Sequence, residues 1–278
     1  MRYKITAPSH IDTTINLPAS KSISNRALIL HALGKGSVVP DNLSDCDDTK
    51  VIINALKTMP PVIDIKAAGT AMRFMTAYLS VTPGEHVITG TNRMKHRPIR
   101  VLVDALRKPG AQIEYTEEEG FPPLRITGDS LDGGMLEIPG DVSSQYISAL
   151  LMIGPAMKNG LKLRLTGNIV SRPYIDLTLH VMHEFGISVE WTDVDMISVS
   201  HQEIGDRRYT IENDWSASSY WYEILAMTND DEARVTLPGL KDASRQGDSA
   251  VRYLFSMLGV KTAFRTSNEV VLTRHMCS

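Results

Sequence analysis

The chain repeats itself, and that repeat limits its architecture more than any single motif does. Thr70, Ser144 and Ser216 each stand at the opening of an apolar, helix-spaced run, 74 and then 72 residues apart. Gly90, Gly167 and Gly239 keep the same beat, each after a short apolar run. Gly110, Gly186 and Gly259 each end a helical run that leads into another short strand pattern. Each repeat therefore reads as helix, strand, helix, strand, strand.

In the second repeat the spacing predicts helices over 70–79 and 98–106, the latter with Pro98 in its first turn, and strands over 86–89, 112–115 and 124–127. The third is expected to hold a helix from Ser143-Ser144, a helix over 173–185 and strands over 161–165, 188–191 and 196–199. The fourth is expected to hold a helix from Ser216, a helix over 248–258 and strands over 233–237, 261–264 and 270–272. A shorter first repeat precedes them, with helices over 22–33 and 48–59, a strand near Val38-Val39 and a strand over 62–65. Such units close against partners, commonly in threes around an axis. Four units thus imply either a closed set of three with one unit set apart or a fragment whose second set is incomplete, and the polar stretch 202–208, containing Gly205, is the expected linker between units three and four.

Composition narrows the function classes. A chain of 278 residues with 42 % hydrophobic and 22 % charged content is that of a soluble globular protein of one large or two ordinary domains. A net charge of −3 supplies no basic field, so nucleic acid is not an expected partner. No apolar run reaches the roughly 20 residues of a membrane span, and the start Met1-Arg2-Tyr3-Lys4-Ile5-Thr6 lacks an apolar signal core. A cytoplasmic location without membrane contact is the expectation. Cys46 and Cys277 sit in no CxxC or metal spacing and read as reduced bystanders.

Four helix openings carry the chemistry: Lys21-Ser22-Ile23-Ser24-Asn25-Arg26, Gly69-Thr70-Ala71-Met72-Arg73, Val142-Ser143-Ser144-Gln145 and Asp214-Trp215-Ser216-Ala217-Ser218. A helix N-terminus presents unpaired backbone N–H groups and the positive end of the dipole, so cations there are unfavourable unless an anion binds. Lys21, Ser22 and Arg26 lie within six residues of such a start, and Arg73 lies one turn after Gly69 and Thr70. Arg93-Met94-Lys95-His96-Arg97-Pro98 and Ser171-Arg172-Pro173-Tyr174 occupy the same phase of successive repeats, and arginine suits bidentate contact with carboxylate or phosphate. An ordinary N-cap explains one serine, not the run Ser143-Ser144-Gln145. His180, His183 and Glu184 form HxxHE, which matches neither HExxH nor HxxEH, so no metal is expected. Neither GxxxxGK[ST] nor GxGxxG occurs, and no cofactor is expected. Tyr220, Trp221 and Tyr222 are expected to pack in the fourth unit. The whole points to a holder of a phosphorylated or carboxylated small molecule.

The ordered motifs Lys21-Ser22-Ile23-Ser24-Asn25-Arg26-Ala27, Ala68-Gly69-Thr70-Ala71-Met72-Arg73, Arg93 to Ile99, Val142 to Gln145 and Ser171-Arg172-Pro173-Tyr174-Ile175 resemble those of the 5-enolpyruvylshikimate-3-phosphate synthase (3-phosphoshikimate 1-carboxyvinyltransferase) family. The resemblance runs from the N-terminus to about Leu272. It implies an α/β fold, the enolpyruvyltransferase-like inverted α/β barrel of repeated βαβαββ units, with the second domain incomplete. Residues 1–20 would supply the first strands of the C-terminal domain, 21–207 the N-terminal domain of three units, and 208–278 one further unit. Within the motifs, Ala67 stands where the family usually has Asn, and Phe74 where it has Pro or a smaller residue.

The resemblance further implies that Lys21, Ser22, Arg26, Ser143, Ser144, Gln145, Ser171 and Tyr174 bind shikimate 3-phosphate. Lys21, Gly69, Thr70, Arg73, Arg97 and Gln145 would line the phosphoenolpyruvate pocket, where glyphosate competes, and Lys21 would act in proton transfer. Neither cofactor nor metal is implied, and the full-length protein is expected to be a monomer. The family's principal carboxylates come from units not present in this sequence, so weak or absent turnover is expected of it, with exposed apolar surface over 220–227 and 251–258. A sugar-nucleotide enolpyruvyltransferase is the alternative enzyme, for which Cys46 is misplaced. A non-catalytic binding protein that keeps the anion site is the alternative of another class.

Overall fold

The computed structural model describes residue 4 and residues 8–275, which divide into two compact units, 21–211 and 1–20 with 212–278. Cys277 and the first residues of the stretch 1–20 lie outside the described residues.

The larger unit opens with α1 (Lys21–Leu33) and α2 (Asp47–Thr58), followed by β2 (Val62–Asp64), β1 belonging to the smaller unit. The second repeat continues with α3 (Gly69–Ser80), β3 (Gly84–Thr89), α4 (Asn92–Lys95), α5 (Arg100–Arg107), β4 (Gln112–Tyr115) and β5 (Leu124–Gly128). The third holds β6 (Gly134–Pro139), α6 (Ser144–Ile153), β7 (Leu161–Thr166), α7 (Arg172–Glu184), β8 (Val189–Asp193) and β9 (Met196–Val199). Two mixed sheets result, ordered β2-β3-β5-β4 and β6-β7-β9-β8, each with one parallel pair and an antiparallel remainder. Strand alternation sets the inner faces: Leu161, Leu163 and Leu165 of β7 are buried while Lys162, Arg164 and Thr166 point outward. Every residue of α3 is buried, as is all of α6 except Gln145, the pattern of helices enclosed on all sides. Against them pack α1 and α7, so the four helices that carry the motifs form the centre of the unit.

The first repeat is abbreviated. The strand expected at Val38-Val39 does not form; both side chains are exposed, and α2 leads directly to β2, the outer strand of the next repeat's sheet. Pro98 precedes its helix instead of opening it: α5 begins at Arg100 behind the cap residue Ile99, and the cationic turn forms the short helix α4. Residues 208–211 stay with this unit, because Asp41 and the segment Tyr209 to Ile211 exchange backbone hydrogen bonds of 2.8 and 3.0 Å. The division between the two compact units falls after Ile211.

In the smaller unit, β1 (Asp12–Thr14) pairs in parallel with β10 (Arg234–Pro238), and β12 (Glu269–Arg274) joins β10 to β11 (Val260–Thr266). Behind this sheet lie α8 (Trp215–Met227) and α9 (Val251–Ser256), the latter shorter than expected because residues 247–250 form a 3-10 turn. Trp215, Tyr222, Leu225, Val235, Leu237, Val270 and Leu272 form the core. Glu212 is buried there with its carboxylate satisfied by Trp215 Nε1, the Lys241 amide and the Ser244 hydroxyl. Of the aromatic triplet, Tyr222 is buried and Trp221 packs partly, but Tyr220 is exposed. Met227, Tyr253, Leu254, Met257 and Leu258 join it as exposed apolar side chains.

Candidate functional site

The site lies in the larger unit and is built from the opening turns of α1, α3, α6 and α7. These turns are level with one another, as their side chains demonstrate. Gln145, second residue of α6, donates its amide to the Thr70 hydroxyl, second residue of α3, at 3.1 Å. Arg26, on the second turn of α1, reaches across to α6 and α7. Its Nε donates to Thr178 Oγ1 at 2.7 Å, and its Nη2 donates to Ser148 Oγ at 3.0 Å and to the Tyr174 carbonyl at 3.3 Å. Its Nη1 returns to the Ser22 carbonyl at 2.9 Å. Four helix N-termini thus point their unpaired N–H groups to one end of one bundle.

Arg26 is 2 % exposed, and burial lowers its pKa to about 10. All its hydrogen-bond partners are neutral. Arg73 is likewise buried, and burial again lowers its pKa; its Nη1 donates to the Gly69 carbonyl at 2.8 Å, while its Nε has no hydrogen-bond partner. Arg97 closes on the same spot: a methyl group at Gly69 would overlap Arg97 Nη1 and lie 2.8 Å from Arg73 Nη1. Lys95 and Arg100, its neighbours in sequence, are instead paired with Glu117 and Glu119. Among the described residues, no ion pair includes Lys21, Arg26, Arg73 or Arg97. Clustered cations without a carboxylate ion pair, against helix N-termini, form a receptor for anionic oxygen.

The remaining expected residues stand in the opening turns of α1, α6 and α7 or directly before them. Lys21 is the exposed first residue of α1, and Ser22 enters through its carbonyl. Ser143 caps α6, its hydroxyl accepting from the Gln145 amide at 3.3 Å, and Ser144 begins the helix. Ser171 holds a left-handed backbone (φ 59°) directly before α7, a conformation unusual for serine, and Tyr174 lies three residues on. The fourth opening differs from the others. At α8, Asp214 accepts from the Ser216 amide at 2.9 Å and Asp248 accepts from the Ser216 hydroxyl, so the protein's own carboxylates occupy that terminus.

Sequence reasoning noted Phe74 only as a departure from the family pattern and passed over Tyr146, Ser148 and Thr178. Phe74 lies under Arg26 and Tyr146 under Arg73, while Ser148 and Thr178 bind Arg26. The signal for the last two was helical: they stand four residues after Ser144 and Tyr174, on the same faces. Among the described residues, no group of three His, Cys, Asp or Glu side chains is placed to hold a metal, and no helix is long and apolar enough to cross a membrane.

Solved enolpyruvyl transferases share this fold. EPSP synthase from Acinetobacter baumannii superposes with a TM-score of 0.76 at 20 % identity, covering 96 % of this chain and 65 % of that one. The enolpyruvyl transferase NikO from Streptomyces tendae gives 0.66 at 14 % identity, covering 97 % and 67 %. In sequence, the family model for EPSP synthase (3-phosphoshikimate 1-carboxyvinyltransferase) matches residues 5–63 and 58–276, and the chain belongs to that family. A 3-phosphoshikimate 1-carboxyvinyltransferase of Bacteroides fragilis is 61 % identical over 264 residues, 95 % of this chain and 64 % of the relative. One from Photobacterium profundum is 40 % identical over 283 residues, 91 % and 65 %. The chain thus spans about two thirds of the length of these curated relatives.

Proposed function

We propose that the protein to which this chain belongs transfers the enolpyruvyl group of phosphoenolpyruvate to the 5-hydroxyl of shikimate 3-phosphate, releasing phosphate, on the route to chorismate and the aromatic amino acids. The observation that carries this reading is the group of arginines, Arg26, Arg73 and Arg97, held at helix N-termini without a carboxylate ion-pair partner. Two anionic substrates need such a receptor, and a single phosphate would not use all of it.

In this reading Lys21, Ser22, Arg26, Ser143, Ser144, Gln145, Ser171 and Tyr174 hold shikimate 3-phosphate. Gly69, Thr70, Arg73 and Arg97, with Lys21 and Gln145, face phosphoenolpyruvate. The 5-hydroxyl gives up its proton as its oxygen bonds to C2 of phosphoenolpyruvate, and C3 takes a proton, giving a tetrahedral adduct. Loss of phosphate from C2 and of a proton from C3 then restores the vinyl group. Lys21, exposed at the start of α1, would pass one of these protons. Residues 21–211 would form the substrate domain, and the smaller unit would be part of a second domain of the same repeat type. Neither nucleic acid nor membrane takes part, and the setting is a cytoplasmic monomer.

Calorimetric titration of the chain with shikimate 3-phosphate tests the reading. One-to-one binding that weakens on Ser144→Ala and Arg26→Met is expected; heats no larger than those given by inorganic phosphate would overturn it.

A further inference from the structure

The two buried guanidinium groups of the site raise a physical problem: each is a charge removed from water, and neither has a carboxylate ion pair. The Arg26 Cζ lies 5.4 Å from the centroid of the Phe74 ring, and the Arg73 Cζ lies 5.7 Å from that of Tyr146. All four side chains are at least nine-tenths buried. We propose that Phe74 and Tyr146 are positioning residues whose ring faces hold Arg26 and Arg73 in the role that carboxylates usually play.

The choice of ring over carboxylate has a consequence for binding. A carboxylate would stabilise the guanidinium by cancelling its charge, and an incoming anion would then meet a neutral pair. A ring face attracts the cation through its quadrupole and carries no net charge, so the field of the arginine remains available to a ligand. Burial strengthens the attraction and also makes it necessary, because it lowers the pKa of both arginines. The rings are themselves fixed. Tyr146 donates its hydroxyl to the Pro98 carbonyl at 2.7 Å, which sets the ring and ties it to the residue after Arg97. Phe74 is fully enclosed in α3, next to Arg73.

The contacts close into a circuit: Arg26 of α1 rests on Phe74 of α3, Arg73 of α3 rests on Tyr146 of α6, and Ser148 of α6 accepts from Arg26. Displacing either ring moves both cations. The inference rests on the function proposed above only for the identity of the ligand.

The test is a fluorination series at position 74, with 4-fluoro-, 3,5-difluoro- and 3,4,5-trifluorophenylalanine, which drains the ring face of negative potential at nearly constant volume. Shikimate 3-phosphate affinity of the chain, measured by calorimetry, is expected to fall stepwise, by roughly 10- to 30-fold at the trifluoro member, and Phe74→Leu is expected to match that loss. Affinity that stays within about twofold across the series in folded protein would overturn the proposal. If the unsubstituted chain ignores shikimate 3-phosphate, the functional reading fails, and the positioning role is read without ligand from the NMR hydrogen exchange of Arg26 Nε–H. Exchange at least about tenfold faster in Phe74→Leu is expected, since loss of the ring frees a bond of 2.7 Å to Thr178; unchanged exchange overturns the proposal.

Discussion

The side chain of Gln145 donates to the hydroxyl of Thr70 at 3.1 Å across 75 residues of sequence, fastening the first turn of α6 to the first turn of α3. That bond makes two helix N-termini share one surface. It also makes Gln145 the residue through which a charge would reach both at once.

Gln145→Glu should therefore separate stability from binding. The carboxylate would accept from Thr70 and sit favourably at two positive dipole ends, adding about 0.3–1 kcal/mol to unfolding free energy. The same charge would repel a phosphate, and affinity for shikimate 3-phosphate should fall at least about tenfold, a loss of roughly 1.4 kcal/mol. Denaturant melts beside calorimetry check both halves; a variant that binds as well as the parent would show that this end of α6 does not face the ligand.

A methyl group at Gly69 is a steric probe of the contacts proposed for phosphoenolpyruvate. The backbone there is ordinary first-turn helix, so alanine fits it, but its Cβ would overlap Arg97 Nη1. The far end of a flexible side chain can yield, so the fold should persist while Arg97 is pushed aside. In the whole protein, Gly69→Ala is expected to raise KM for phosphoenolpyruvate about tenfold, roughly 1.4 kcal/mol, and to leave KM for shikimate 3-phosphate within about twofold. Steady-state kinetics with each substrate varied in turn decides it.

Much of this was legible from residue spacing. The strands over 112–115 and 196–199 stand where the pattern places them, and α3, α6 and α7 begin within one residue of their expected starts. Those starts are signalled locally, by Gly69-Thr70, by the capping serine at 143 and by Pro173 in the first turn. The strand expected at Val38-Val39 does not form because β-propensity in a two-residue apolar run means nothing without a partner strand. Pro98 departs from its expected place for a related reason: it could serve as a first helical residue, but it lies in the turn before the helix, where its carbonyl accepts from Tyr146. Within the site, the cations and hydroxyls were visible and their uncharged supports were not. A phenylalanine in an apolar helix carries no mark of the arginine 48 residues earlier that lies on it.

Arg26→Met should cost binding and not stability. The arginine is a buried charge with neutral partners only, and replacing such a group by an apolar one of similar length is commonly neutral or stabilising. The hydroxyls it leaves behind still satisfy each other, since Ser148 and Thr178 lie 2.7 Å apart and Thr178 also donates to the Tyr174 carbonyl at 2.8 Å. The expected outcome is an unfolding free energy unchanged or raised by about 1 kcal/mol, with shikimate 3-phosphate affinity reduced at least about 30-fold, the loss of a charge-assisted contact of roughly 2 kcal/mol. A strongly destabilised variant would mean that Arg26 serves the fold first.

The smaller unit should fail in alkali through a single tyrosine. Tyr222 is buried, its hydroxyl 2.8 Å from Thr262 Oγ1, and burial pushes its pKa up to about 12 from an ordinary 10.0. Between those values the folded unit keeps a proton that the unfolded chain releases, so stability falls as pH rises from about 10 and is lost in full, near 3 kcal/mol from two pKa units, above about 12. Below pH 10 both states hold the proton and the residue contributes no pH dependence. Tyr222→Phe removes the titration, and with it this part of the alkaline loss, while giving up one buried hydrogen bond worth about 1 kcal/mol at neutral pH. Urea unfolding followed by the near-ultraviolet signal of Trp215 and Trp221, run from pH 8 to 11.5 on parent and variant, should give curves that start about 1 kcal/mol apart and cross as pH rises. Parallel curves would show that Tyr222 ionises as freely inside the fold as outside it.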